Sequence, residues 1–262
     1  MKKLFRLVIT VCCALLWIHS AALAGSAKQR VPSKKPSPDE VLAMLREGND
    51  RFASGKAQHP HADAARLALA GTKKQGDYAY ATVIACSDSR VPVELIFDGG
   101  VMDLFVIRVA GNVCDTDEIG SIEYGLAHVH TPLLVVLGHT QCGAVTAVTH
   151  SLQGKGHALE RNIPALVDNI IPAVKHAMDM NKGVKGDAII PFAIEQNVWQ
   201  GIEDLLMKSP STRNLVKKGK VKVVGAIYDV GTGKVRWLTK IDEILRRVEV
   251  SPDRETEPMT GK

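Results

Sequence analysis

Three apolar, β-branched runs constrain this chain more than any other feature. They are residues 80–85 (YATVIA), 103–109 (DLFVIRV) and 133–138 (LLVVLG). Each run is released into a polar loop and then a helix-like stretch. Strands buried on both faces read as continuous hydrophobic runs, and helices between them supply the crossovers that parallel strands need. The fold class is therefore α/β, a mainly parallel central β-sheet flanked by helices, with a helical arm ahead of the first strand. In such sheets ligands bind outside the carboxyl ends of the strands. The loops after the runs are where chemistry is to be sought.

The other elements follow in order. Ser37-Pro38-Asp39-Glu40 is a helix start: Ser37 caps, Pro38 suits the first helical position and Glu40 completes a capping box. Val41, Leu42, Leu45 and Phe52 recur at helical spacing. An arm of this kind is expected to pack on a partner subunit. A second helix is expected over 62–70, ended by Gly71. Further helices are expected over 92–97, over 117–129 with Thr116 as cap, from Gly143 onward, over 162–180 and over 193–207. Residues 208–220 read as a basic, polar connection. A fourth strand is expected over 222–230, with 235–238 returning as an edge strand in a hairpin. Gly231-Thr232-Gly233-Lys234 is no phosphate loop, because the upstream glycine is missing and Val235 follows the lysine.

Two of the strand-end loops carry metal-ligand chemistry. The first is Cys86-Ser87-Asp88-Ser89-Arg90, and the second is His139-Thr140-Gln141-Cys142. Two thiols and an imidazole at neighbouring strand ends can converge on one ion. Cys86, His139 and Cys142 make a three-ligand set that leaves a position for water, as catalytic zinc sites do. Thiolate and imidazole suit Zn2+, one per subunit, without redox chemistry. Asp88 has two readings. It can close the site as a fourth ligand, or it can be held off the metal by a bidentate pair with Arg90, two residues on.

The first residues read as a secretory leader: Lys2, Lys3 and Arg6, then an apolar run over 7–18, then Ala22-Leu23-Ala24 as a cleavage site. The run is shorter than the roughly 20 residues of a spanning helix. The expected organisation is a signal peptide over 1–24, a flexible lead-in over 25–36, a catalytic domain over 37–245 and a polar tail over 246–262. Without residues 1–24, which hold three basic residues and no acidic ones, the 33 basic residues become 30 against 28 acidic, a net of +2. That balance gives no support for nucleic acid or an anionic membrane as partner. Cleavage also reduces five cysteines to three, Cys86, Cys114 and Cys142. An odd number in an exported chain argues against a disulfide framework. A Cys86–Cys142 disulfide is the alternative to a metal, disfavoured by His139 at ligand spacing.

The motifs CSDSR and RVPVELIFD (86–98), DLFVIRVAGN (103–112) and HTQCGAV (139–145), with LREGNDRF (45–52), resemble those of the β-class carbonic anhydrases. The resemblance runs from about residue 41 to 145, and compatible elements continue to Leu238. It implies the β-carbonic anhydrase fold, zinc on Cys86, His139 and Cys142, and Asp88 with Arg90 as a catalytic dyad. The implied reaction is the reversible hydration of CO2 to bicarbonate and a proton by a zinc-bound hydroxide. It also implies a homodimer or a dimer of dimers. Gly143 and Phe105, with Leu104, are candidates to line the substrate pocket, with packing in the strand core as the alternative for Phe105 and Leu104.

Two positions depart from the family pattern. Members that bicarbonate switches off carry Trp three residues before the first cysteine, where this chain has Val83. Arg108 stands at the second position of that regulatory site; alone, it reads as structural or as pairing across the interface. The open form, with Asp88 on Arg90 and water on zinc, is therefore expected at neutral and alkaline pH. A substrate-orienting Gln expected nine residues before Cys86 is replaced by Asp77, with Gln75 nearby. His128, His130, His150 and His157 are candidates for proton relay, and Cys114 reads as a small buried residue. The expected enzyme is an exported, periplasmic lyase, with secretion beyond the periplasm as the alternative. No membrane partner is expected after cleavage. The competing functions are hydrolysis of carbonyl sulfide or carbon disulfide on the same scaffold, and an inactive zinc-binding regulatory module.

Overall fold

A computed structural model describes residues 35–238 and 241–249. The expected leader, most of the lead-in and the tail from 251 lie outside the described residues. Five strands form one sheet: β1 (Ala81–Ala85), β2 (Leu104–Arg108), β3 (Leu133–His139), β4 (Lys222–Tyr228) and β5 (Val235–Leu238). Their order is β2-β1-β3-β4-β5. The first four are parallel and β5 returns antiparallel beside β4.

The two-residue period of a strand divides the core cleanly. Ile84, Leu134 and Val136 face one side of the sheet, against α4 (Thr116–Ala127), α7 (Ile171–Met180) and α8 (Ile190–Lys208). Val83, Ala85, Val135 and Leu137 face the other, against α1 (Pro38–Ala53) and α3 (Val93–Ile96). Both faces are covered, so these strands carry apolar side chains at nearly every position. Registers place Ala85 level with Arg108 and Leu137, and His139 level with Tyr228. The carboxyl ends of β1 and β3 therefore form one rim.

The helical arm starts as expected. Ser37 and Glu40 make a reciprocal capping box. Its apolar residues Val41, Leu42 and Leu45 are buried against the chain's own sheet, at about 2 kcal/mol each by transfer. The chain's own strands thus cover this apolar face. Gly48 brings α1 close to α3, because a Cβ there would lie 2.0 Å from the Phe97 carbonyl oxygen. The second helix, α2, is Ala64–Ala70, capped by Asp63.

Other boundaries shift for identifiable reasons. The cap of α4 is Asp115, not Thr116, because Glu118 is placed to accept from the Asp115 N–H at 3.2 Å. The helix expected over 162–180 is two, α6 (Ile163–Val167) and α7. A 3-10 turn, Asp168–Ile170, separates them, with Pro172 in the first turn of α7. The connection over 208–220 contains α9 (Pro210–Lys217), capped by Ser209 with Pro210 at its start. A last helix, α10 (Ile241–Glu249), was not foreseen; it buries Ile244 and Val248. The remaining helix, α5 (Gly143–Leu152), leaves the β3 rim. Among the described residues no helix is long and apolar enough to cross a membrane.

Candidate metal centre

Cys86 is the first residue beyond β1. Its loop is tied back to the sheet on both sides of the residue: Val109 N–H donates to the Ala85 carbonyl (3.1 Å) and Ser87 N–H to the Val109 carbonyl (3.2 Å). Arg108, the last residue of β2, folds over the same loop. Its Nε donates to the Cys86 carbonyl (3.1 Å) and its Nη2 to the Asp88 carbonyl (2.6 Å). The position named as part of a regulatory site thus clamps the backbone between Cys86 and Asp88. In the Ala110–Asn112 turn, Gly111 adds an N–H to Cys86 Sγ at 3.3 Å.

His139 ends β3 and is fully buried. Its Nδ1 lies 2.9 Å from the Thr140 carbonyl oxygen, which can only accept. Nδ1 is therefore the donor in that bond, which turns Nε2 away from Thr140. That Nε2 is buried without a hydrogen-bond partner. Gln141 takes a left-handed φ of 58° to turn the chain, and Cys142 becomes the N-cap residue of α5.

The ligand atoms of Cys86, His139 and Cys142 all lie within 4.8 Å of one another. A tetrahedral zinc with bonds of about 2.0–2.3 Å separates its ligands by roughly 3.5–4 Å. The set therefore fits such an ion with little movement. A buried imidazole nitrogen without a hydrogen-bond partner, grouped with two buried sulfurs, is otherwise a costly arrangement. The hydrogen bond from Cys142 pulls the Cys86 thiol down. That bond outweighs burial, with help from His139 and the Gly111 N–H. The same contact and burial push Cys142 up. A lowered Cys86 thiol favours the thiolate, the form that binds metal.

Asp88 does not join the three. Both of its carboxylate oxygens are taken by Arg90, at 2.7 Å from Nη2 and 3.0 Å from Nε. These hydrogen bonds hold the Asp88 carboxyl well below the usual carboxylate range. Arg90 also reaches across to the second loop, donating to the Gln141 carbonyl (3.1 Å) and to Gln141 Oε1 (3.3 Å). One guanidinium joins two segments that are 51 residues apart.

The remaining candidates disperse. Gly143 opens α5 directly after Cys142, with no heavy atom within 4 Å of where its Cβ would be. Phe105 is level with Thr82, about 10 Å back along the sheet from Arg108 at roughly 3.3 Å per residue. Its ring lies 5.9 Å from that of Tyr124. Leu104, one residue earlier, packs against the α1 side of the core. Gln75 sits in a 3-10 turn before β1, at the opposite end of the strands from Cys86. The His128 ring lies 5.3 Å from that of Tyr124, and His150 pairs with Asp187 at 2.9 Å. Cys114 is buried as expected, and burial raises its thiol. The sequence reading missed Gly111, Gln141 and the clamp role of Arg108. Only the glycine left a signal, as an AGN triplet directly after a strand.

Comparison with known proteins bears on the same residues. A family model described as carbonic anhydrase matches residues 81–235. A carbonic anhydrase 2 of Mycobacterium tuberculosis is 34% identical over 202 residues, 76% of this chain and 93% of the relative. A carbonic anhydrase of Mycolicibacterium smegmatis is 33% identical over 212 residues, 80% of this chain and 98% of the relative. Among solved structures, the β-carbonic anhydrase CcaA is similar at 25% identity with a TM-score of 0.57, over 77% of this chain and 96% of that one.

Proposed function

The chain belongs to the β-class carbonic anhydrases, and we propose on that premise that it hydrates CO2 at a zinc ion held by Cys86, His139 and Cys142, with Asp88 and Arg90 as the catalytic dyad. The observation that carries the reading is the His139 Nε2. It is buried without a geometric hydrogen-bond partner, in a group with two buried cysteine sulfurs whose ligand atoms lie within 4.8 Å of one another. When bound, zinc supplies a Lewis acid that acidifies a water, an effect for which carbonic anhydrase is itself the reference case.

The chain's own residues do the rest. Cys86 and Cys142 enter from two loops whose backbones are tied to β2 and α5, so their positions are set before metal arrives. The Thr140 carbonyl fixes the His139 tautomer. Asp88, ionised and held by Arg90, offers its carboxylate as acceptor to the attacking water and so selects which lone pair faces CO2. With both oxygens engaged by Arg90, Asp88 is kept from closing the fourth position. The support for the open form is that pairing together with Val83, which is buried on the α1 face. Gly143 leaves space beside Cys142 for a small planar product.

Export and assembly belong to the same proposal. The three-part leader supports a periplasmic enzyme. A homodimer is supported by β2, which among the described residues ends the sheet with its outer edge unpaired and Phe105 and Tyr124 beside it. Stopped-flow CO2 hydration on the full chain, before and after chelation, tests the function. Activity lost with the metal and restored by zinc supports it. Hydration at the buffer rate by zinc-loaded protein overturns it.

A further inference from the structure

Asn197 lies in the middle of the buried face of α8, whose other buried positions are apolar or glycine. It is 3% exposed, and its Nδ2 donates to the Gly111 carbonyl oxygen at 2.7 Å. Gly111 has a φ of +74° inside the Ala110–Asn112 turn. Its own N–H donates to Cys86 Sγ. A Cβ on Gly111 would lie 2.6 Å from Ile170 Cδ1 and 3.2 Å from Ala144 Cβ. The turn is thus wedged between α8, α5 and the Ile170 segment.

The N–H and C=O of Gly111 belong to adjacent peptide planes joined by its own φ and ψ. Glycine has the softest dihedrals of any residue. An anchor on the second plane therefore sets the direction of the first. We infer that Asn197 is a positioning residue for the metal centre: by holding the Gly111 carbonyl it aims the Gly111 N–H at the Cys86 sulfur. A donor on a ligating sulfur withdraws charge from it and fixes its orientation, and such outer contacts tune metal affinity. Asn197 touches neither metal nor substrate. It acts from 86 residues away in sequence, through one turn. The inference rests on the zinc reading of Cys86, His139 and Cys142.

A merely structural Asn197 would satisfy a buried carbonyl and nothing more, so the test compares it with a neighbour on the same helix. Asn197→Leu removes the donor at similar size. Ile202→Ala opens a cavity in the same face without touching the turn. Both are made in the full chain and loaded with cobalt(II) in place of zinc. The thiolate-to-cobalt charge-transfer absorption is recorded, and zinc affinity is measured by chelator competition. We expect Asn197→Leu to shift the absorption and weaken zinc about tenfold, while Ile202→Ala leaves both as in the unsubstituted protein. If Asn197→Leu does not fold, Asn197→Ser, too short to reach the carbonyl, is read the same way. Unchanged absorption and affinity in the Asn197 variant, or equal changes in both variants, overturn the inference alone. An unsubstituted chain that takes up neither cobalt nor zinc overturns the reading of the site, and the inference with it.

Discussion

Arg90 meets Asp88 through two parallel contacts, Nη2 to Oδ2 at 2.7 Å and Nε to Oδ1 at 3.0 Å, and the same Nη2 donates to the Gln141 carbonyl at 3.1 Å. The fork matches a carboxylate in a way that a lysine ammonium cannot. Arg90→Ala should therefore lower kcat/KM for CO2 hydration by about 10²-fold, the lower range for a positioned proton-accepting group. Arg90→Lys should recover little of it. Zinc content should stay at one per chain in both, since Arg90 touches no ligand atom. Stopped-flow rates beside metal analysis check this, and a lysine variant with full activity contradicts it.

Arg108 holds the same loop from the other side, through the carbonyls of Cys86 and Asp88. Arg108→Met keeps the stem and removes both donors. Each hydrogen bond contributes about 1 kcal/mol, and Arg108 is exposed, so urea unfolding of the zinc-loaded variant should show a loss of about 1–2 kcal/mol. The release of zinc to a chelator should quicken as the loop loosens. A variant with unchanged stability and release rate would leave Arg108 without a clamp role.

Asp98 governs acid stability away from the metal. Its buried side chain accepts from Arg51 Nε (2.6 Å) and from the N–H groups of Gln58 and His59 (both 2.9 Å). Burial alone would raise its carboxyl, but these donors overcome burial and lower it. A carboxyl whose folded pKa is depressed stabilises the fold above its unfolded pKa, about 3.9, and loses that contribution as pH falls through the folded value. Asp98→Asn should cost about 2 kcal/mol at pH 7, discounted because Arg51 is partly exposed. The gap in Tm between the two proteins should narrow as pH drops below about 4. A gap constant from pH 7 to pH 3 contradicts this assignment.

Gly48→Ala tests how the arm is seated. The added methyl would lie 2.0 Å from a backbone oxygen of Phe97, which cannot rotate away. The variant must lift α1 from α3 and expose part of Val41, Leu42 and Leu45. A loss of about 3 kcal/mol or more is expected, with faster proteolysis within 38–53. Wild-type resistance would mean that the two helices can separate at little cost.

Much of this was legible in the sequence where the determining signal is local. Buried β-branched runs gave β1 and β3, and the Ser37–Glu40 box gave the start of α1. The cap of α4 was misplaced by one residue because Thr116 and Asp115 are both good caps, and only the position of Glu118 decides. The α9 helix was hidden by its lysines, although Ser209-Pro210 repeats the Ser37-Pro38 start signal. The three candidate ligands that the fold brings together, and the Asp88–Arg90 pair, could be read because each lies within a short motif at a strand end. Asn197 and the Arg108 clamp were not, since their partners stand 86 and about 20 residues away and are backbone atoms with no residue-type signature. Register, which no local motif shows, sets Phe105 three residues back from Arg108 on β2, where its ring meets Tyr124.

We propose one metal, held by Cys86, His139 and Cys142, as the place where CO2 is hydrated. The most direct measurement of this is the stopped-flow hydration rate per bound zinc, for the full chain and for Cys86→Ser purified alongside it. The account predicts about one zinc per unsubstituted chain and a rate that disappears on chelation and returns with zinc. It also predicts that Cys86→Ser binds zinc poorly and stays near the buffer rate when zinc is resupplied. A Cys86→Ser protein that matches the unsubstituted chain in both zinc content and rate contradicts the account.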